Sequence, residues 1–390
     1  MTMHYRSRQE ASINTCYLCR KTISGTNDSK EHIIPNSIGG RRKVKGFICL
    51  SCNSNSGNTW ENELTKQFNP LSLFFGITRE RGTVPSQRFQ TTGGQELVLN
   101  IDGSLGLPTP EFKESIVDAG VEIHIRARTM TELRKMLSGV AKKYPQLDFT
   151  KSLDQIKSQS SYCSDKLHFS FSFGGTKAGR SLVKSALAQI ATLRTPIPEC
   201  RYADEYLLSE DGNACFGFYY EKDLVKNRPE GIPFHCVHVE GKSDTNEILA
   251  YVEYFGLQRV VMLLSDNYEG DSFETTYALN PQDGTELELN ISIDLTKQEI
   301  FEAYNYKKIP EGSVKNVLSK LIETRMKQQK EQHHNDVLEK SATYAFENCG
   351  AKYGEIMTPA HRQKMIELMM EKLDPYLIHQ IRGSRRTSDA

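Results

Sequence analysis

The sequence contains no long apolar run, has a single tryptophan among 390 residues, and carries no net charge, with 49 Lys+Arg against 49 Asp+Glu. Without an apolar stretch of ~18 residues no membrane-spanning helix is expected. The charge balance excludes a polycation that coats nucleic acid along its whole length. The opening residues MTMHYRSRQEAS lack the apolar core and small-residue cleavage site of a secretory leader. The expected compartment is therefore the cytoplasm, with no membrane partner. Nine cysteines are too few for a disulfide scaffold at this length, and in a reducing compartment closely spaced pairs point to metal instead.

What is present is unevenly distributed. Residues 1–60 hold nine basic side chains against three acidic ones, so the positive field is concentrated at the N-terminus. Three zones follow from composition and periodicity. Residues 1–67 are rich in Cys, Gly, Asn and basic residues. Residues 68–310 read as a mixed α/β, strand-rich domain that positions substrate or regulates, and residues 311–390 as a helical region. Val121, Ile123, Ile125 and Ala127 alternate with polar neighbours, as do Leu167, Phe169, Phe171 and Phe173. That period of two predicts half-buried strands, and segments 232–239, 249–255, 258–264 and 285–295 read as further strands. Helices are predicted over 131–143 and 176–193, the second with Leu182, Val183, Ala186, Leu187 and Ile190 on one face. In the last zone Val314, Val317, Leu318, Leu321 and Ile322 keep helical spacing, and Thr358-Pro359 is a helix-start signal. The polar KQQKEQHHND is either a solvated helix or a break, and the closing RGSRRTSDA reads as a frayed tail.

The chemistry-bearing stretch is residues 16–58. Cys16/Cys19 and Cys49/Cys52 form two CxxC pairs with Cys19 and Cys49 30 positions apart, the ligand pattern of one tetrahedral four-cysteine zinc ion per chain. Four thiolates leave no open coordination position, so this zinc is structural. The scattered Cys163, Cys200, Cys215, Cys236 and Cys349 read as small core residues. Between the pairs lie Glu31-His32-Ile33-Ile34-Pro35 and Gly39-Gly40, and Asn53 directly follows the last cysteine.

This arrangement resembles the HNH (ββα-metal) endonucleases, in particular the zinc-stabilised four-cysteine group that includes phage resolvases of the endonuclease VII type. Asn69-Pro70-Leu71 and Arg79-Glu80-Arg81-Gly82 also resemble sequence that follows the zinc module in large bacterial HNH proteins. The resemblance implies an α+β chain with an N-terminal ββα-metal module. It implies His32 as general base, Glu31 and Asn53 as ligands of a catalytic Mg²⁺ or Mn²⁺, and the four cysteines as zinc ligands. Asn55 and Asn58 are alternatives to Asn53. The family's central Asn before the third cysteine has no counterpart in Lys43-Val44-Lys45-Gly46-Phe47-Ile48, and Asn36 or a backbone group is expected to tether the hairpin loop instead.

The residue types suit phosphodiester hydrolysis in their own right. A neutral imidazole can take a proton from water near neutral pH, and a hard cation on a carboxylate and an amide oxygen can neutralise phosphate charge. Arg41, Arg42, Lys43 and Lys45 fall in the hairpin turn, where DNA phosphates need cations. The reading is a metal-dependent endonuclease acting on DNA, double-stranded by expectation. Two others stand beside it. One is a defence effector against phage whose nuclease is gated by a regulatory ligand or protein partner sensed by the body. The other is a zinc module that only binds nucleic acid, which has no need of Glu31, His32 and Asn53. Arg180 and Lys184, at i and i+4 after Gly174-Gly175, read as two surface bases following a turn, with an anion site as the alternative. The pairs His235/His238 and His333-His334 lack carboxylate or Cys companions at ligand spacing and read as structural.

Overall fold

The computed structural model describes residues 14–117, 120–145, 162–163, 165–193 and 196–388. The chain is α+β, with an N-terminal strand and helix region, a strand-rich middle and C-terminal helices. It divides into two units. The first comprises Met1–Gln87, Leu99–Ser104 and Phe169–Glu323, the second Arg88–Val98, Leu105–His168 and Thr324–Ala390.

In the first unit the N-terminal segment contributes strands β1 (Glu31–His32) and β2 (Lys43–Val44), helix α1 (Leu50–Ser56), a π-helical turn (Gly57–Glu61) and helix α2 (Asn62–Phe75). The second unit holds β3 (Gln87–Thr91), which begins at the boundary, β4 (Glu96–Leu99), β5 (Leu105–Gly106), the antiparallel hairpin β6 (Glu111–Val117) and β7 (Gly120–Arg126), α3 (Met130–Lys143) and β8 (Leu167–His168). Thr129 caps α3 by accepting from the Glu132 N–H, which fixes its start where the sequence placed it. The alternation at 121–127 does give a strand, but it is mostly exposed.

The first unit is organised by α4 (Thr176–Ala191) and a five-stranded antiparallel sheet. Its strands, with α5 (Arg201–Leu208) preceding them, are β9 (Phe216–Phe218), β10 (His235–Lys242), β11 (Glu247–Tyr254), β12 (Gln258–Ser265) and β13 (Phe273–Leu279), in the order β13-β10-β11-β12-β9. Helix α6 (Lys297–Tyr304) follows, and α7 (Ser313–Asn348) and α8 (Pro359–Ser388) complete the chain.

Both faces of the sheet are covered. On one side Cys236, Leu249, Tyr251, Val261, Leu263 and Ala278 join a core with Ile291, Ile293, Leu295, Ile300 and Ala303. On the other lies α4, whose Ser185 accepts a hydrogen bond from the Tyr254 hydroxyl at 2.9 Å and whose Gln189 donates to Thr275 at 2.7 Å. Burial on two sides is why Val260 to Leu264 is an unbroken apolar run. It also makes α4 buried nearly all round, not along one face as the periodicity suggests.

Two extended segments depart from the strand reading. Residues 285–295 alternate, with Ile291, Ile293 and Leu295 in the core, but among the described residues they pair through isolated bridges alone, Glu286 with Leu279 of β13 and Ile291 with Val225 of a loop. Only Leu167–His168 of the second alternating run forms a strand. Phe169, Phe171 and Phe173 instead stack ring on ring, with centroids 6.2 Å apart at each step, and Phe173 stacks on Phe68 of α2. The strand β13, FETTYAL, is not among those expected from the sequence. In the C-terminal region the polar KQQKEQHHND lies within the continuous helix α7. Thr358 accepts from the His361 N–H at the start of α8, which continues to Ser388 and not to a frayed end before it.

Candidate active site

Two tight turns bring the four predicted cysteines together. In the first, the Arg20 N–H donates to Cys16 O at 2.9 Å and the Cys16 N–H to Lys21 O at 2.8 Å, with Arg20 in the left-handed region. The second opens α1, where the Asn53 N–H bonds to Cys49 O. The turns are joined by Tyr17 N–H to Phe47 O at 2.9 Å and by the Cys49 N–H to Cys16 Sγ at 3.3 Å. All four Sγ atoms lie within 4.8 Å of one another, and Cys19 Sγ is 3.8 Å from Cys49 Sγ. A tetrahedron with Zn–S bonds of ~2.3 Å has edges of about 3.8 Å, so the thiols fit a zinc ion. Burial opposes ionisation of Cys49, but the Cys52 N–H and neighbouring thiols outweigh it and lower its pKa to about 7, whereas burial raises Cys16 and Cys52, so one thiol of the group ionises ahead of the others.

Between the turns, β1 and β2 pair antiparallel with Glu31 opposite Val44 and His32 opposite Lys43. The loop joining them folds back tightly, with the Gly40 N–H bonded to Pro35 O. A Cβ on Gly40 would lie 1.7 Å from Ile34 O, and Gly39 has φ 101° with a Cβ position 2.9 Å from Pro281. Both glycines are therefore required by close backbone approach. Ile33, Ile34 and Ile38 are fully buried beneath this loop. A hairpin, two cysteine turns on one metal site and a following helix compose the N-terminal segment.

Residues 16–69 match the HNH endonuclease family model. No curated protein and no solved structure matches the chain.

The HNH segment presents His32 half-buried, and its partner comes from beyond the matched residues. His32 Nε2 lies 3.0 Å from Glu80 Oε2, and Lys43 Nζ donates to Glu80 Oε1 at 2.6 Å. The Lys43 and His32 contacts pull the Glu80 carboxyl down to about 2, so Glu80 is ionised and can only accept. This network assigns the imidazole proton to Nε2 and leaves the lone pair on Nδ1. Burial lowers the His32 pKa, with Glu80 opposing and Lys43 assisting, so the ring is neutral at neutral pH. Asn36 fixes the segment that bears Glu80. Its Oδ1 accepts from the Glu80 and Arg81 N–H groups at 2.9 and 3.4 Å, and its Nδ2 donates to Arg81 O at 3.1 Å. The tether expected of Asn36 thus runs from the hairpin loop to residues 80–81.

Glu31 stands one residue away but has a different environment. It is 2% exposed, and its Oε1 is 2.5 Å from the Nζ of Lys184 on α4. The same ammonium pairs with Glu61 of the π-helical turn and donates to the Ser56 hydroxyl at 3.2 Å. Burial raises the Glu31 carboxyl to about 7, with Glu61 adding to the shift and Lys184 opposing it. Burial works against charge on Lys184, yet the two carboxylates outweigh it and hold the amine protonated. Lys184 is therefore neither a surface base nor part of an anion site. Arg180, one turn earlier, donates to the carbonyls of Tyr206, Ser209 and Glu210 and lies over the Trp60 ring at 5.8 Å.

The arrangement around Glu31 does not fit a divalent cation as it stands, because a buried ammonium already lies on the carboxylate expected to bind one. Asn53, on α1, is half-buried, and its side chain has no hydrogen-bond partner among the described residues; Asn55 and Asn58 are exposed.

The four predicted DNA-contacting residues do not form one free cluster. Arg41 donates to Thr78 Oγ1 at 2.6 Å, Arg42 pairs with Glu286 and lies over the Tyr277 ring at 4.5 Å, and Lys43 is held by Glu80. Lys45 is exposed and has no ion-pair partner among the described residues. The hairpin loop is docked on the sheet as well. The backbone N–H of Arg42 donates to the Tyr277 hydroxyl at 3.0 Å, and His235 of β10 bonds Ile38 O through Nε2 at 2.8 Å while its Nδ1 accepts from the Phe255 N–H. Burial lowers His235 to about 4, which keeps it neutral and structural. His238 is likewise buried, bonded to Thr276 and Glu240. His333 bonds the Tyr162 hydroxyl and His334 the Tyr376 hydroxyl. Cys200, Cys215, Cys236 and Cys349 are buried and Cys163 half-buried. Among the described residues no helix is long and apolar enough to cross a membrane.

Proposed function

We propose that the protein is an endonuclease that hydrolyses DNA phosphodiester bonds with His32 as the general base. The observation that supports this most directly is the Glu80–His32 pair on the HNH hairpin. An ionised carboxylate holds Nε2–H, so Nδ1 is the atom that takes a proton from the attacking water. Lys43 keeps Glu80 ionised, and Asn36 holds the Glu80 backbone in place. The zinc site fixes the two turns between which the hairpin is strung and takes no part in bond breaking. No step is assigned to Glu31 while Lys184 is paired with it.

The test is incubation of full-length, zinc-loaded protein with supercoiled plasmid, with and without Mg²⁺ or Mn²⁺. Nicked or linear product is expected from the wild type or from Lys184→Met. If both are folded and neither cuts, the nuclease reading is overturned and a module that only binds nucleic acid is left.

DNA affinity is expected to depend on Lys45 more simply than on its neighbours. Neutralising one phosphate-contacting cation reduces the slope of log K against log salt by about 0.9 for duplex DNA, so Lys45→Gln should flatten it by that amount. Arg41→Gln and Lys43→Gln also break contacts to Thr78 and Glu80 and should alter the local structure besides. An unchanged salt slope for Lys45→Gln, read by fluorescence anisotropy across a salt series, would make Lys45 a solvated turn residue only.

A further inference from the structure

Of the charged groups packed around the HNH segment, Lys184 is the one supplied from a helix deep in the body and buried against the segment's own carboxylates. It is 1% exposed, and it touches three successive parts of the segment: Glu31 on β1, Ser56 at the end of α1, and Glu61 in the π-helical turn. We propose that the Lys184 ammonium is the resident cation of the Glu31/Glu61 pair, and that it and a divalent cation are alternative occupants of one site. The inference rests on the nuclease reading for its significance, but not for its test.

Two carboxylates converge on a single point, and what lies there is a compact, strongly charged cation on a flexible stem. A divalent ion on Glu31 needs a carboxylate oxygen at about 2.0–2.6 Å. The Nζ of Lys184 is already 2.5 Å from Oε1, so a divalent ion on that oxygen would lie against a buried ammonium of like charge. Removing the ammonium alone leaves two buried carboxylates without a counter-charge, a state that a hard divalent ion relieves and water relieves poorly. Glu61 then becomes a second carboxylate ligand, one outside the Glu31/Asn53 set expected from sequence. Lys184 is 1% exposed and α4 packs on the sheet through Ser185 and Gln189, so withdrawal of the ammonium takes either a turn of its stem within the packed interior or movement between α4 and the HNH segment. That places access to the site under the control of residues outside residues 16–69.

The experiment is a titration of the full-length, zinc-loaded protein with Mn²⁺, read by the electron paramagnetic resonance of the free ion. Mn²⁺ prefers oxygen ligands and leaves a four-thiolate zinc site in place. Wild type and Glu31→Gln should give superimposable isotherms, because Glu31 is not available in either. Lys184→Met should gain one Mn²⁺ site at least tenfold tighter than any in wild type, and Lys184→Met/Glu31→Gln should lose it. Should Lys184→Met fail to fold, Lys184→Gln, which removes the charge and keeps a polar group toward Ser56, takes its place in both comparisons. A wild-type Mn²⁺ site that Glu31→Gln abolishes overturns the proposal, as does a folded Lys184→Met variant with no gain. None of these readouts requires DNA cleavage, so a failure here is distinguishable from inert protein in the plasmid assay.

Discussion

Replacing His32 by alanine is expected to lower plasmid cleavage by about 10²–10⁴-fold, the usual contribution of positioned proton transfer, while zinc content, folding and DNA affinity stay close to wild type. The imidazole is half-buried and its one side-chain hydrogen-bond partner among the described residues is Glu80. Its loss leaves the buried Ile33, Ile34 and Ile38 and the hairpin register untouched. Glu80→Ala should cost less than His32→Ala, because the base is still present and only its tautomer and orientation are released. The variants are compared in whichever background cuts, wild type or Lys184→Met. Equal cleavage rates with and without the His32→Ala substitution in that background would place the chemistry elsewhere in the chain.

Which parts of this site were legible in the sequence follows from how local each signal is. The cysteine pairs and the Glu31-His32 dipeptide are contiguous patterns whose spacing carries its own geometry, and the structure gathers the four thiols as that spacing implies. Glu80 and Lys184 are not of that kind. Glu80 reaches His32 across 48 residues, and Lys184 reaches Glu61 across 123. A signal for Lys184 did exist. It is flanked by Leu182, Val183, Ala186 and Leu187, and a helix apolar on most of its circumference is a buried one, so its lysine needed a buried partner of opposite charge. Pairing it with Arg180 by i,i+4 spacing suggested a surface instead, though the two side chains go to different partners.

The strands show the same division between local and distant information. Alternation at 285–295 and 167–173 correctly marks which side chains share a side, yet it says nothing about which backbone supplies the hydrogen bonds. In the first case the side chains enter the core, and in the second the Phe rings stack on one another and on α2. In neither does a full ladder form. Conversely, β10 to β12 were readable as strands because their apolar runs are short and bounded, although burial on both faces hid which residues face α4.

Removing zinc is expected to have the largest structural effect and a graded one. Four-thiolate sites contribute on the order of 10 kcal/mol or more to the folding of small zinc modules, and besides the thiols the cysteine turns are held by a few single contacts, Arg20 to Asp204 of α5 and the Asp28 and Ser29 side chains to the Gly46 N–H and Ile48 O. Residues 14–30 form no strand or helix, only the isolated bridges Thr15 to Thr22 and Asp28 to Cys49. Chelation, or Cys49→Ser at the N-cap of α1, should therefore release the amides of Cys16, Tyr17, Arg20 and Leu50, whose acceptors all lie in or between the two turns. The hairpin loop should respond less, because the Arg42 N–H donates to Tyr277, His235 bonds Ile38, and Gly39 packs on Pro281. Hydrogen exchange read by mass spectrometry should thus show protection lost at 14–30 and 47–56, retained in part at 33–42, and unchanged in β10 to β12. Elemental analysis should find one zinc per chain before chelation. Protein purified without chelator and containing no zinc, or protection at 14–30 that survives chelation, would mean that the four thiols are not what holds the HNH segment together.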